Sequence, residues 1–250
     1  MHTLVAGDVL HDVLDPYVRV DRTRGEDGRW VMANMVGGLD GTAAMGGRVG
    51  PLSGDTDASL FRRLRSVADV VLVGAETVRR ERYGPVRLAD DLRQARVAAG
   101  RPPVPPLAVV TRSLRLDWTA PAFAAADPSA RPLVVVPADA DPRRVAEADD
   151  HADVIVAGDQ RVDLALALEM LARRGHQIVL CEGGPRLLGE IVDAGLLDEM
   201  CLTLAPLMGG DALPVAITAP GGAIRGFRLA HVAAEGDTVF MRYERGSDGS

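Results

Sequence analysis

Aromatic side chains are scarce in this chain: Phe, Trp and Tyr together make up 4% of its 250 residues. Val, Leu and Ala must therefore fill most of the core, which favours buried strands and close packing of small-residue helices. Cysteine is scarcer still. Cys181 and Cys201 each sit inside an apolar segment, and they read as buried free thiols of a reducing compartment, with no metal-ligand spacing. The chain does not open on a basic region followed by a sustained apolar run, and it has no stretch of about eighteen apolar residues. No signal peptide and no membrane span are expected, and the expected setting is the cytoplasm. Positive charge is also short, with 28 basic against 35 acidic residues and a net charge of −7. That excludes a general electrostatic grip on nucleic acid. It leaves room for a local phosphate pocket, and the cations are arginines, which suit bidentate phosphate recognition.

Several chemistries are missing too. There is no G-x-S-x-G elbow, no H-E-x-x-H and no zinc-deaminase signature. The five histidines, His2, His11, His151, His176 and His231, are scattered. A chain without a nucleophile or metal motif points to a cofactor that brings its own chemistry, and no metal is expected.

What is present is a strand-helix rhythm. Residues 1–28 read as an N-terminal extension ending in a polar turn, 29–245 as one domain and 246–250 as a tail. Trp30 to Val36 reads as a strand stopped by Gly37-Gly38. Asp55 is the expected N-cap of a helix carrying Leu60, Leu64 and Val67 at helical spacing. Val70 to Gly74, Leu107 to Val110, Leu133 to Val136, Val154 to Val156 and Ile178 to Leu180 are short Val-rich runs without alternation, as strands covered on both faces are. Helices are predicted at 92–99, 142–148, 164–174 and 186–194. Two of them stop at Gly175 and Gly195, where a left-handed terminus is expected. The fold class is α/β, with a mostly parallel central sheet, flanking helices and antiparallel C-terminal strands at Met200 to Leu204 and Thr238 to Tyr243.

Two turns carry the chemistry. In Leu180-Cys181-Glu182-Gly183-Gly184-Pro185-Arg186-Leu187-Leu188 a buried strand ends in a carboxylate, and two glycines then lead directly into a helix. Glycines admit a ligand close to the backbone, a helix N-terminus offers free N–H groups to an anion, and Pro185 suits the first helical position. A plain tight turn explains the same pattern. Val73-Gly74-Ala75-Glu76-Thr77-Val78 is built alike, with Thr77 either a helix cap or a phosphate contact. Both turns follow the carboxyl ends of strands, where ligands of open α/β sheets gather, so they are expected to face one cleft. Arg112 and Ser113, at another such end, read as an extra-phosphate contact or as ordinary exposed residues. Asp40-Gly41 reads chiefly as a turn.

Taken in order, Asn34, Leu39-Asp40-Gly41, Leu52-Ser53-Gly54, Arg62 to Arg65, the Gly74 and Gly183 turns, Ala205-Pro206 and Gly209-Gly210 resemble the RibD C-terminal reductase family, of dihydrofolate-reductase-like fold. The likeness runs from about Trp30 to Tyr243 and is strongest to the stand-alone actinobacterial pyrimidine reductases. It implies NADPH reduction of 5-amino-6-(5-phosphoribosylamino)uracil, ribosyl to ribityl, in riboflavin biosynthesis by a homodimer. It implies cofactor contacts at Ala33, Gly74, Ala75, Thr77, Glu81 (where the family has Asp), Arg112, Ser113, Gly183, Gly184, Pro185, Arg186, Leu187, Leu188, Gly209 and Gly210. Ser53, Arg65, Arg87 and Glu182 would hold the substrate, the two arginines at its 5′-phosphate. No proton donor is assigned; Glu182 and Asn34 are the catalytic candidates. Asn34 stands where relatives have Lys, Gly37-Gly38 replace a Ser region, and the loop from Gly46 to Pro51 lacks an aromatic. The alternatives are a dihydrofolate or other pterin reductase, which would want a buried carboxylate on the first helix, and a non-catalytic nucleotide-binding module. Asp55 and Asp57 occupy the start of that helix, where capping explains them more simply. The strand 200–204 and the helix 164–171 are the surfaces expected to serve a dimer.

Overall fold

The Val-rich runs become the middle of a nine-stranded sheet in order β5-β4-β3-β2-β6-β1-β7-β9-β8. A computed structural model describes residues 12–23, 25 and 28–246. The strands are β1 (Trp30–Gly37), β2 (Val70–Gly74), β3 (Leu107–Val110), β4 (Leu133–Val136), β5 (Asp153–Val156), β6 (Ile178–Cys181), β7 (Glu199–Leu204), β8 (Phe227–Glu235) and β9 (Thr238–Arg245). From β5 to β7 the pairing is parallel, and β9 and β8 add antiparallel at one edge. β6 is inserted between β1 and β2, so that Trp30 pairs with Ile178 and Val70 with Val179. Expected and observed strands agree closely, with one exception. β8 is a long strand where only loop is expected, closed onto β9 by Gly236-Asp237.

Eight α-helices are described: α1 (Asp15–Val18), α2 (Asp55–Val67), α3 (Ala75–Arg80), α4 (Asp90–Ala98), α5 (Pro121–Ala124), α6 (Pro142–Asp149), α7 (Leu164–Arg173) and α8 (Pro185–Asp193). Successive strand residues point to opposite faces. Met32 and Val71 therefore pack with Leu60 and Leu64 of α2 on one side. Val31 and Val70 pack with Leu168 of α7 and Ile191 of α8 on the other. The expected cap of α2 is corrected: Gly54 is the N-cap, and neither acid donates or accepts a side-chain capping bond. Asp55 and Asp57 instead occupy the first turn, where carboxylates suit the positive end of the helix.

The N-terminal extension is partly built into the domain. Tyr17 is fully buried, and Arg22 donates from Nε and Nη2 to both oxygens of Glu199 at 2.8 and 2.7 Å. Residues 1–11, with His2 and His11, and 247–250 of the tail lie outside the described residues. The two segments expected to serve a dimer are largely taken up by the fold, although α7 leaves Leu166 exposed. β7 lies between β1 and β9, and α7 turns Leu164, Ala167, Leu168 and Leu171 into the core. No helix among the described residues is long and apolar enough to cross a membrane, and none of their His, Cys, Asp and Glu side chains group for a metal.

Candidate active site

Because β2 and β6 are parallel neighbours, their carboxyl ends emerge side by side. The amide of Glu182 donates to Leu72 O at 3.0 Å and that of Gly74 to Gly183 O at 2.9 Å, which ties the two glycine turns together. α8 opens directly at Gly184 with Pro185 in its first turn and no side-chain cap, so its free N–H groups face the gap. Gly184 has a specific reason to be glycine. A Cβ there would stand 2.6 Å from Thr77 Oγ1. Thr77 itself is the third residue of α3 and caps nothing; its hydroxyl is left to the cleft.

The gap is a cavity of about 200 Å³ lined by Gly74, Thr77, Gly183, Gly184, Arg186 and Leu187. Met35, Thr77, Glu81 and Glu182 belong equally to the wall of a second cavity of about 270 Å³, which reaches inward to Asn34, Ser53, Asp57, Phe61 and Tyr83. The result is one cleft with two compartments, a glycine-rich one and a carboxylate-lined one, meeting at Glu182. A larger, shallower hollow of about 630 Å³ lies against α7, near Arg29 and Gln177 at the opposite, amino ends of β1 and β6.

Glu182 is held firmly. Arg65 of α2 donates from Nε and Nη2 to its two oxygens, each at 2.7 Å, and Tyr83 donates its hydroxyl to Oε2. Arg65 also lies over the Phe61 ring, 4.1 Å from its centroid. Burial first, and then the Glu182 charge, push the Tyr83 phenol well above its ordinary value. Burial pushes the neighbouring Cys181 thiol up to about 12, so it stays protonated and unreactive. This corrects the reading of Arg65: its fork is engaged by a carboxylate, and its ion pair orients Glu182 at the cavity wall.

Other expected residues fall into four groups. Ser53, Asn34 and Glu81 line the inner compartment; Ser53 donates its hydroxyl to Asp57 Oδ2 at 2.5 Å, and Glu81 Oε1 accepts from the Val49 amide. Ala33, Ala75 and Leu188 are buried, Ala33 paired with Cys181 inside the sheet. Arg87 is exposed on the loop after α3, and Arg112 and Ser113 are exposed beyond β3, with Arg112 3.9 Å from Asp139. None of these three lines either compartment. Gly209 and Gly210 stand just outside the cleft. The Gly209 amide donates to Asp40 Oδ2 at 2.7 Å while Asp40 Oδ1 accepts from the Thr42 amide, so Asp40 ties the strip running to Ala43 and Ala44 against the 206–211 loop. Those hydrogen bonds hold the Asp40 carboxyl below the usual range. Tyr83 and Asp57 are site residues that sequence reasoning did not assign.

The matched family model decides the affiliation: the RibD C-terminal domain covers residues 29–240. The chain belongs to the RibD C-terminal domain family. Within that family, a 2,5-diamino-6-ribosylamino-4(3H)-pyrimidinone 5′-phosphate reductase of Methanothermobacter thermautotrophicus is 36% identical over 183 residues, covering 72% of this chain and 79% of that protein. The enzyme of the same name from Archaeoglobus fulgidus is 31% identical over 182 residues, covering 72% and 82%. Among solved structures, a pyrimidine reductase-like protein from Corynebacterium diphtheriae superimposes with a TM-score of 0.81 at 28% identity, covering 88% of this chain and 93% of that one.

Proposed function

We propose that this chain uses NADPH to reduce a 5-amino-6-(phosphoribosylamino)pyrimidine, converting the ribosyl group to ribityl. The two-compartment cleft meeting at Glu182 carries this reading, with the family affiliation beside it. The outer compartment fits a dinucleotide pyrophosphate, because it joins a close backbone approach at Gly184, a free Thr77 hydroxyl and the unblocked N-terminus of α8. When bound, the nicotinamide supplies the hydride. The protein's part is placement. Gly74, Thr77 and Gly183 to Leu187 hold the cofactor backbone, and Asn34, Ser53 and Glu182 face the acceptor, so that much of the rate comes from alignment. Glu182 is fixed by Arg65 and Tyr83, which suits it to orient a hydroxyl or ring N–H. Arg112 and Ser113, beyond the neighbouring β3, would meet the adenosine 2′-phosphate, and Arg87, exposed on the loop after α3, would meet the substrate phosphate.

The test follows NADPH absorbance while the protein is offered the 2,5-diaminopyrimidinone and uracil forms of the phosphoribosylamino compound, their dephosphorylated forms and dihydrofolate. Oxidation dependent on a phosphorylated pyrimidine supports the proposal, and silence with all substrates sinks it in favour of a non-catalytic nucleotide-binding module. A pterin reductase is the second reading, and one observation favours it. Asp57 is a buried carboxylate on α2 that caps nothing, as a pterin site would want. Turnover of dihydrofolate alone would move the protein there. A homodimer in the cytoplasm, where two buried unpaired thiols stay reduced, completes the proposal; a solution mass near 26.4 kDa by light scattering at micromolar concentration contradicts the dimer.

A further inference from the structure

The charged side chains on the wall of the inner compartment are all carboxylates among the described residues: Asp57, Glu81 and Glu182. Asp57 is 5% exposed and forms part of its wall. Its Oδ2 accepts the Ser53 hydroxyl at 2.5 Å, while its Oδ1 is buried without a partner among the described residues. Asn34, 7% exposed and on the same wall, likewise has a buried, unpartnered Oδ1. Among the described residues no Arg, Lys or His lines this compartment, and of its three carboxylates only Glu182 is paired there with a cation, Arg65 behind the wall. A buried carboxylate oxygen left without a donor costs about 1–3 kcal/mol or more. Such a site is complete only when a ligand brings N–H groups to it.

We infer that Asp57 is a specificity-determining residue that selects a 2-amino-4(3H)-pyrimidinone ring over a uracil. The inference rests on the proposed reductase reading and names the ring that reading leaves open. In a 2-amino-4-oxopyrimidine the N3–H and the 2-amino group point the same way, a pair of donors matched to a carboxylate. A uracil carries a carbonyl at carbon 2, and its lone pairs meet the Asp57 carboxylate head-on. A site built to bond a polar group discriminates strongly against the analogue lacking it, because its own buried group is then left unpaired. A dihydropterin presents the same two donors, so the shared edge is the recognised chemistry and the ring system behind it is separated by experiment.

The decisive measurement compares kcat/KM for NADPH oxidation with 2,5-diamino-6-ribosylamino-4(3H)-pyrimidinone 5′-phosphate and with its 2-oxo counterpart, in the wild type and in Asp57→Asn. Calorimetric binding of 2,6-diamino-4(3H)-pyrimidinone and 6-aminouracil, bare rings that differ at carbon 2, runs in parallel. The wild type is expected to favour the 2-amino ring by about 10- to 100-fold, the range for a hydrogen bond to a charged group. In Asp57→Asn the carbonyl keeps the Ser53 bond and the amide NH2 replaces Oδ1, so the ratio should move at least about tenfold toward the 2-oxo ring, which now meets a donor. A wild-type ratio near one or favouring uracil overturns the inference, and so does an equal fall for both rings in the variant. The wild-type ratio decides alone should the variant not fold. Bare-ring preference without turnover of either phosphate would overturn the reductase reading and leave the ring selection standing. Dihydrofolate turnover that is lost in Asp57→Asn would assign the same edge to a pterin.

Discussion

The residue at the centre of the cleft is Glu182, and its environment is defined by partners rather than by exposure. It and Arg65 are both buried and meet in a two-pronged bond, so removing one partner strands the other's charge. Arg65→Met is expected to cost about 3–5 kcal/mol in urea unfolding. Arg65→Lys should not restore full stability, because a point charge cannot span both oxygens. Tyr83→Phe leaves that pair intact and should cost about 1 kcal/mol. The raised phenols also set an alkaline limit. Burial lifts Tyr83 and Tyr17 above the ordinary value of 10.0, so in this region the unfolded chain loses protons that the folded chain retains. Their contribution is therefore complete below about pH 10 and shrinks as the pH rises further. Thermal melts between pH 9 and 11 should show a falling midpoint that is shallower in Tyr83→Phe. None of this was legible in the sequence, where Arg65 reads as a phosphate ligand. Its true partner is a strand-end carboxylate far along the chain, and only the packing of α2 on the sheet brings them together. The place of Asp57 is hidden in the sequence for a related reason. A carboxylate in the first helical turn resembles a cap, and its burial depends on walls supplied by β1 and by the loop ending at Val49.

At the scale of elements, much more could be read in advance. Of the seven parallel strands, β2, β3, β4 and β6 are short apolar runs without a polar residue, and all seven fall within a residue or two of their expected places. β8 escaped because it is half exposed, alternates irregularly and shifts register between Leu229 and His231. Its apolar positions are interrupted by Arg228, His231 and Glu235, as polar and charged side chains commonly interrupt an edge strand. The glycine turns were legible for the opposite reason, since their geometry demands the residue. Gly184→Ala would drive a methyl against Thr77 Oγ1, and we expect the nicotinamide dinucleotide to bind at least about tenfold more weakly in a fluorescence titration, with the fold retained. Gly189, inside α8, is more exacting. A Cβ there would stand 1.7 Å from Ile217 O, so Gly189→Ala must push α8 away from the 206–226 segment. A loss of about 1–3 kcal/mol is expected by thermal or urea denaturation, together with weaker cofactor binding, because the same helix begins at the cleft.

For the molecule as a whole, the chain's two halves are interleaved. The N-terminal segment is tied to β7, the strand beside β1, through Arg22 and Glu199, with Trp30 Nε1 donating to the same carboxylate at 2.8 Å. Arg22→Met is expected to lower stability by about 3–5 kcal/mol, measured by chemical denaturation, since it leaves Glu199 fully buried without its cation. The affinity for cofactor should change little by comparison, because that pair stands away from both compartments. The insertion of β6 between β1 and β2 has a consequence for how the protein is born. While the ribosome has released only the first hundred residues, β1 and β2 exist without the strand that joins them, and both keep an open, Val-rich edge. That edge closes only after residues 178–181 emerge, so the nascent chain passes through a long stage exposed to mispairing, and its dependence on holding chaperones should exceed that of a protein whose neighbouring strands are made in succession.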